Sequence, residues 1–176
     1  MLIENFRPGV MARLGLDYEA MKARHPQLIY CSISSYGQHG AMADRPGLDP
    51  VLQAEMGMMA VTGEPDGDAM RHPLSLTDLF VGLYASTAIL SAVIARAETG
   101  RGQHIDLALM DGAIAAMSNF AQYYLTSGEE PQRSGNTHSV AVPAAAFKAS
   151  DGMFYLACGT NNLFERLCRN ALERPE

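Results

Sequence analysis

Positive charge is scarce in this sequence: 13 basic residues face 19 acidic ones, and only Lys22 and Lys148 are lysines. The net charge of −6 argues against a general nucleic-acid or anionic-membrane binder, both of which need a basic face. The other cations are arginines, whose planar fork grips phosphate in two places, so a local anion site can still exist on an acidic chain. Cysteine is sparse too. Cys31, Cys158 and Cys168 are odd in number and form no C-x-x-C pair, which excludes a disulfide framework and a thiolate zinc site and suits a reducing compartment. The five histidines (His25, His39, His72, His104 and His138) never fall at ligand spacing, and no metal site is expected. G-x-S-x-G, H-E-x-x-H and the P-loop are absent, which weighs against serine hydrolases, zincins and P-loop NTPases. The sequence also lacks internal repeats and low-complexity stretches.

What is present belongs to a folded chain. Its 176 residues are 48% hydrophobic and 18% charged, and a chain of this length can bury about 70% of its unfolded surface. Met1–Gly9 show no charged segment leading into an apolar one, so no secretory signal is read there and a cytoplasmic location is expected. The 17 residues from Leu79 to Ala95 carry no charge. They fall short of the roughly 20 needed to span a bilayer and include Gly82, Ser86, Thr87 and Ser91, so they read as a buried core helix rather than a membrane segment.

The first part alternates as an α/β fold does. Asp17–Arg24 reads as an amphipathic helix, and Leu28–Ile33 as a buried strand. Asp49–Met59 reads as a helix with Asp49 as N-cap and Pro50 at the first helical position. Ser75–Asp78 opens the long apolar helix, with Gly100 and Gly102 as terminators. Gln103–Leu107 fits a strand, and Asp111–Leu125 a helix packed through Gly112, Ala113, Ala115 and Ala116. Ala144–Phe147 and Met153–Cys158 flank Ser150-Asp151-Gly152 as a hairpin, followed by a helix over Asn162–Asn170. Three segments result: 1–126, part of a large α/β domain; 127–143, a polar linker; and 144–176, the cut-off start of a smaller unit.

Few residues can carry chemistry. Asp78 stands where a polar loop enters the most apolar helix. As an N-cap it would accept backbone N–H groups. As an ionised carboxylate beside an apolar wall, kept charged by the helix dipole, it could attack an activated acyl group. Residue type alone favours the cap. Asp106 and Asp111 compete with it, with strand-edge and capping explanations of their own. Asn5-Phe6-Arg7-Pro8-Gly9, with Arg13 close behind, could hold a nucleotide through stacking and phosphate contacts, or be a solvated turn. Gly100-Arg101-Gly102 lies after a helix and before a strand, the wrong side for a phosphate loop.

Leu-Ile-Glu-Asn-Phe-Arg-Pro-Gly with Leu14-Gly15-Leu16, Leu-Ile-Tyr-Cys-Ser-Ile-Ser, Arg-Pro-Gly-Leu-Asp-Pro, Thr62-Gly-Glu-Pro, Asp78 and Thr-Gly-Arg-Gly-Gln-His-Ile-Asp together resemble the class III CoA-transferases, a group that includes formyl-CoA transferase, carnitine CoA-transferase and α-methylacyl-CoA racemase. The resemblance runs the length of the chain. It implies an open, Rossmann-like α/β domain with the start of a smaller α+β domain, and interlocked homodimers. Because family members are more than twice as long, the chain is expected to be a middle section of such a protein. The resemblance makes Asp78 the nucleophile and gives Asn5, Phe6, Arg7, Arg13 and Asp49 to the binding of CoA. CoA and acyl-CoA then enter as substrates with a small carboxylic acid, and no tightly bound cofactor is implied. In the racemases a Gly-His-Asp segment supplies a second base. Here it is Gly47-Leu48-Asp49, and leucine cannot move a proton, so transferase is favoured over racemase. Gly135-Asn136-Thr137-His138 stands where some formate-type transferases carry a glycine run, which points away from oxalate or formate. A third reading is a non-catalytic fragment.

Overall fold

The computed structural model describes residues 1–174, which fall into two compact units. The first comprises Met1–Met59 and Arg71–Pro131; the second comprises Ala60–Met70 and the described residues from Gln132 on. Composition alone assigns the 60–70 loop to the first unit, whereas its backbone contacts place it in the second.

The first unit is built on three parallel strands in the order β1 (Leu2–Glu4), β2 (Tyr30–Ser34), β3 (His104–Ala108). β2 is central. Four of its five residues are buried, the continuous burial expected of a parallel strand covered on both faces. The strand begins two residues later than the apolar run suggests, because Leu28 turns back to donate to His25 O. Between β1 and β2 lie a short turn, α1 (Val10–Arg13), and α2 (Tyr18–Arg24). α2 is capped by the Asp17 side chain, which accepts from Ala20 N.

From β2 the chain passes through a loop to α3 (Asp49–Glu55) and then to α4 (Leu76–Thr99). Two expectations change here. α3 starts with Leu48 at the cap and Asp49 already inside the first turn, so Asp49 is not its N-cap. The residue at the α4 cap is Ser75, whose side chain makes no capping bond; Asp78 lies in the first turn rather than at the cap.

α4 departs further from expectation. Only Thr77, Val81, Ala85 and Ala92 are buried, a single stripe, while Leu79, Leu83, Leu90 and Ile94 are exposed. It is therefore not a core helix buried all round, and by length and composition it could cross a membrane. Its buried stripe meets α5 (Leu109–Ser127) across a core of Leu52, Val81 and Leu109, joined by Ile33, Tyr36, Leu107 and Met110. α5 approaches through Gly112, where an added Cβ would lie 2.3 Å from Val81 Cγ2. Of the small residues expected at that face, Gly112 and Ala113 are buried and Ala115 is exposed. α5 kinks at Ser118.

The second unit pairs β4 (Ala144–Lys148) and β5 (Met153–Ala157) as the antiparallel hairpin its Asp-Gly turn predicts, with Phe147 stacked on Phe154. α6 (Asn161–Asn170) follows, capped by Thr160. Arg133 pins the Ala60–Met70 loop by donating to the carbonyls of Ala60, Glu64 and Gly67 at 3.0, 3.2 and 2.9 Å. No carboxylate is needed, because one planar guanidinium can serve three backbone acceptors. Lysine cannot reproduce that fork. Arg133→Lys is expected to speed amide exchange across residues 60–70 by about tenfold while leaving β1–β3 unchanged. Hydrogen-exchange mass spectrometry checks this.

Candidate active site

All three strands of the first unit point the same way, so their carboxyl ends share one edge, where open α/β sheets place ligands. A cleft of about 490 Å³ opens there. Asn5 to Pro8 enter it from the end of β1, Ser34 and Ser35 from the end of β2, and Leu109 from the end of β3. Arg45, Pro46, Gly47, Leu48 and Asp49 form one wall, and Asp78 of α4 stands on another. The sequence-level candidates Asn5, Phe6, Arg7, Asp49 and Asp78 thus meet at one place. Arg13 does not line this cleft: it is exposed in the last turn of α1.

The rim is held by its own backbone. Asn5 Nδ2 donates to Ile33 O at 2.7 Å, tying the end of β1 to β2. Phe6 N donates to the buried Glu4 carboxylate at 2.8 Å, and the Phe6 ring stays 53% exposed, free to offer a face. Arg7 spends one nitrogen on Asp44 O at 3.1 Å, which leaves the rest of its fork available. Gly47 must be glycine, since a Cβ there would come within 2.7 Å of Ser35 Cβ. That close approach lays the Arg45–Leu48 segment against the end of β2, where Ser35 Oγ donates to Gly47 O. Arg45 lies over the Tyr36 ring and pairs with Glu55, which also accepts from the Tyr36 hydroxyl.

Beneath the rim lies a fully paired polar cluster. Asp49 is 5% exposed, and its two oxygens accept from Gln53 Nε2 at 2.7 Å and from Thr77 N at 2.8 Å. The Thr77 hydroxyl donates to the same oxygen as its amide. Gln53, wholly buried, also donates to Leu74 O and accepts from His72 N. Asp49 borders the cleft, yet its carboxylate is taken up within the protein.

Asp78, one residue after Thr77, faces the opening. Burial, and after it the neighbouring Asp49 charge, push its carboxyl above the ordinary aspartate value. This is the reverse of the effect expected from the helix dipole alone. Ser34 Oγ is also unusual. It is buried beside the cleft and has no hydrogen-bond partner among the described residues.

The competing carboxylates stand elsewhere. Asp106 accepts from Gln38 N with both oxygens, at 3.2 and 3.0 Å, and Asp111 borders a separate hollow beside α4 and β3. Sequence reasoning missed Ser34, Arg45 and the Gln53–Thr77 cluster. Arg45 opens the Arg-Pro-Gly-Leu-Asp-Pro motif without having been given a role, and Gln53 follows three residues after it. Ser34 closes the Leu-Ile-Tyr-Cys-Ser-Ile-Ser motif, but its place beside the cleft follows only from where β2 ends.

Relatives with this sequence pattern are numerous. The chain is 43% identical to succinate–glutarate CoA-transferase of Agrobacterium fabrum, an alignment covering 96% of this chain and 42% of that protein. It is 43% identical to acetyl-CoA:oxalate CoA-transferase of Acetobacter aceti, over 100% of this chain and 45% of that one. Among solved structures, a CAIB/BAIF family protein from Brucella suis superposes with a TM-score of 0.86 at 46% identity, covering 96% of this chain and 45% of that one. The chain therefore spans less than half the length of these relatives. Residues 1–176 match the family described as CoA-transferase family III, and the chain belongs to that family.

Proposed function

We propose that this chain carries the nucleophile and part of the CoA-binding surface of an enzyme that moves CoA from an acyl-CoA to a carboxylic acid. The observation that carries this reading is Asp78: a carboxylate with raised basicity, open to a cleft at the carboxyl edge of a parallel sheet, in a chain of this family.

In the first step the Asp78 carboxylate attacks the thioester carbonyl; the C–S bond breaks, giving a mixed anhydride and CoA thiolate. The thiolate then attacks the aspartyl carbonyl of the anhydride and expels the donor carboxylate, leaving an aspartyl-CoA thioester. The acceptor carboxylate repeats both steps in reverse. Each step exchanges one acyl bond for another, so no ATP is consumed. Phe6 and the free edge of Arg7 suit an adenine face and a phosphate.

The relatives' names include glutarate and oxalate at equal identity, so the missing glycine run near Gly135 does not decide against oxalate. A racemase would need a second proton carrier. Leu48 stands in the cleft where one is wanted and cannot serve, so no α-proton exchange into deuterated water is expected.

The proposal includes a homodimer. Leu79, Leu83, Leu90 and Ile94 form an exposed apolar row along α4, a surface of the kind that a second subunit covers.

The test is covalent trapping. The full-length protein incubated with acyl-CoA and then borohydride should be modified at Asp78, as located by peptide mass spectrometry. Modification at another carboxylate, or none under conditions of measured transfer, would overturn the reading.

A further inference from the structure

Asp49 is conspicuous because a buried carboxylate is costly unless every oxygen is satisfied, and here three donors satisfy it. Two come from Thr77, 28 residues along the chain and the residue next to Asp78. α4 lacks a side-chain cap of its own at Ser75. Asp49 takes over that duty from another helix, accepting a first-turn amide that would otherwise be unpaired. Gln53 extends the brace by gripping His72 N and Leu74 O, on the loop that delivers the chain to Asp78.

We propose that Asp49 is the positioning residue of the Asp78 nucleophile: through Thr77 and Gln53 it fixes the first turn of α4, and with it the place of the Asp78 carboxylate on the cleft wall. This rests on the reading of Asp78 as nucleophile. Asp49 touches no reacting atom and works through Thr77.

The pairing also has an electrical side. Asp49 is the neighbouring charge that raises the proton affinity of Asp78, after burial. The other charged or titratable groups of the cleft and its approach make no bond to Asp78 among the described residues. Arg7 donates to Asp44 O and Arg45 is paired with Glu55. His72 receives Leu74 N through Nδ1, and Arg71 precedes it on the exposed loop. Asp111 lies in the first turn of α5, beside a different hollow.

Asp49→Asn removes this charge and puts an amide where Gln53 Nε2 needs an acceptor. In the full-length protein it is expected to lower kcat about tenfold or more with the KM for acyl-CoA within about twofold. It should also move the acid limb of the kcat–pH profile to lower pH. A merely structural role would not move that limb. Thr77→Val keeps the amide and shape but deletes the hydroxyl; a smaller loss of kcat is expected, and this variant decides the matter if Asp49→Asn fails to fold. The inference is overturned if folded variants keep the wild-type kcat and acid limb. Failure of the underlying reading looks different: Asp78→Asn would itself remain active. An inactive Asp78→Asn beside an unchanged Asp49→Asn or Thr77→Val would reject the positioning role alone.

Discussion

Asp78→Asn is expected to cut transfer by about three orders of magnitude or more, because the amide cannot supply the carboxylate that forms the anhydride. Binding of CoA itself should survive, since Asn5, Phe6 and Arg7 are unaltered. The pH dependence has a definite sign. The nucleophile works only when ionised, and burial together with Asp49 raises its pKa above that of an ordinary aspartate. Activity should therefore begin to fall, as the medium is acidified, at a higher pH than an unperturbed aspartate would impose. The same shift bears on stability. A carboxyl whose folded pKa exceeds its unfolded one binds its proton more tightly in the folded state, so the penalty on the folded state grows as pH rises through that interval. Asp78→Asn, which carries no charge, should unfold at neutral pH no earlier than wild type and slightly later. Steady-state kinetics and thermal unfolding across pH check both halves. An inactive variant that is also clearly destabilised would count against the reading that Asp78 is retained for chemistry at a cost to stability.

The second large effect is structural. At Gly102 an added Cβ would sit 1.8 Å from Leu28 O and 2.6 Å from Gln27 C, both main chain. Gly102 N donates to Pro26 O at 2.9 Å, so the two backbones are already in contact and neither can swing aside like a side chain. Gly102→Ala is expected to destabilise the protein by about 3 kcal/mol or more, the upper end of overpacking penalties. For a chain of this size that lowers Tm by roughly 6–12 °C. Gly100, two residues earlier, has φ 66° and ends α4 as a left-handed cap, but an added Cβ there meets nothing within 4 Å. Gly100→Ala should therefore cost distinctly less. Thermal melts of the two variants side by side separate close approach from backbone strain.

The glycine pair also shows where sequence reasoning succeeds and where it stops. Both glycines read as helix terminators, yet only Gly100 serves as one; the close approach at Gly102 depends on a loop more than seventy residues away in sequence. Periodicity and punctuation located β2, β3, α5 and the hairpin to within one or two residues, because those signals are local. The cleft candidates Asn5, Phe6, Arg7 and Asp78 were legible through motif. Three matters were not. The burial of α4 could not be read from its hydropathy, since an apolar helix looks the same whether or not anything covers it. The role of Asp49 was hidden because an Asp-Pro pair is a strong local cap signal, and the amide it caps belongs to another helix. Ser34 stands in a quoted motif, but only the end of β2 places it beside the cleft with an unpaired hydroxyl.

The order of the strands has a consequence for biosynthesis. The central strand must be flanked on one side by a strand made much later: Ser32 reaches His104, its hydrogen-bond partner, across 72 residues. At ribosomal speeds of about 5–20 residues per second, β2 would wait roughly 4–14 s for that neighbour. During this time its Leu28–Ser34 stretch, rich in β-formers, has one unpaired edge. The nascent chain is thus expected to need a chaperone, or slow codons placed after β3 rather than before it, to keep that edge from pairing with another chain.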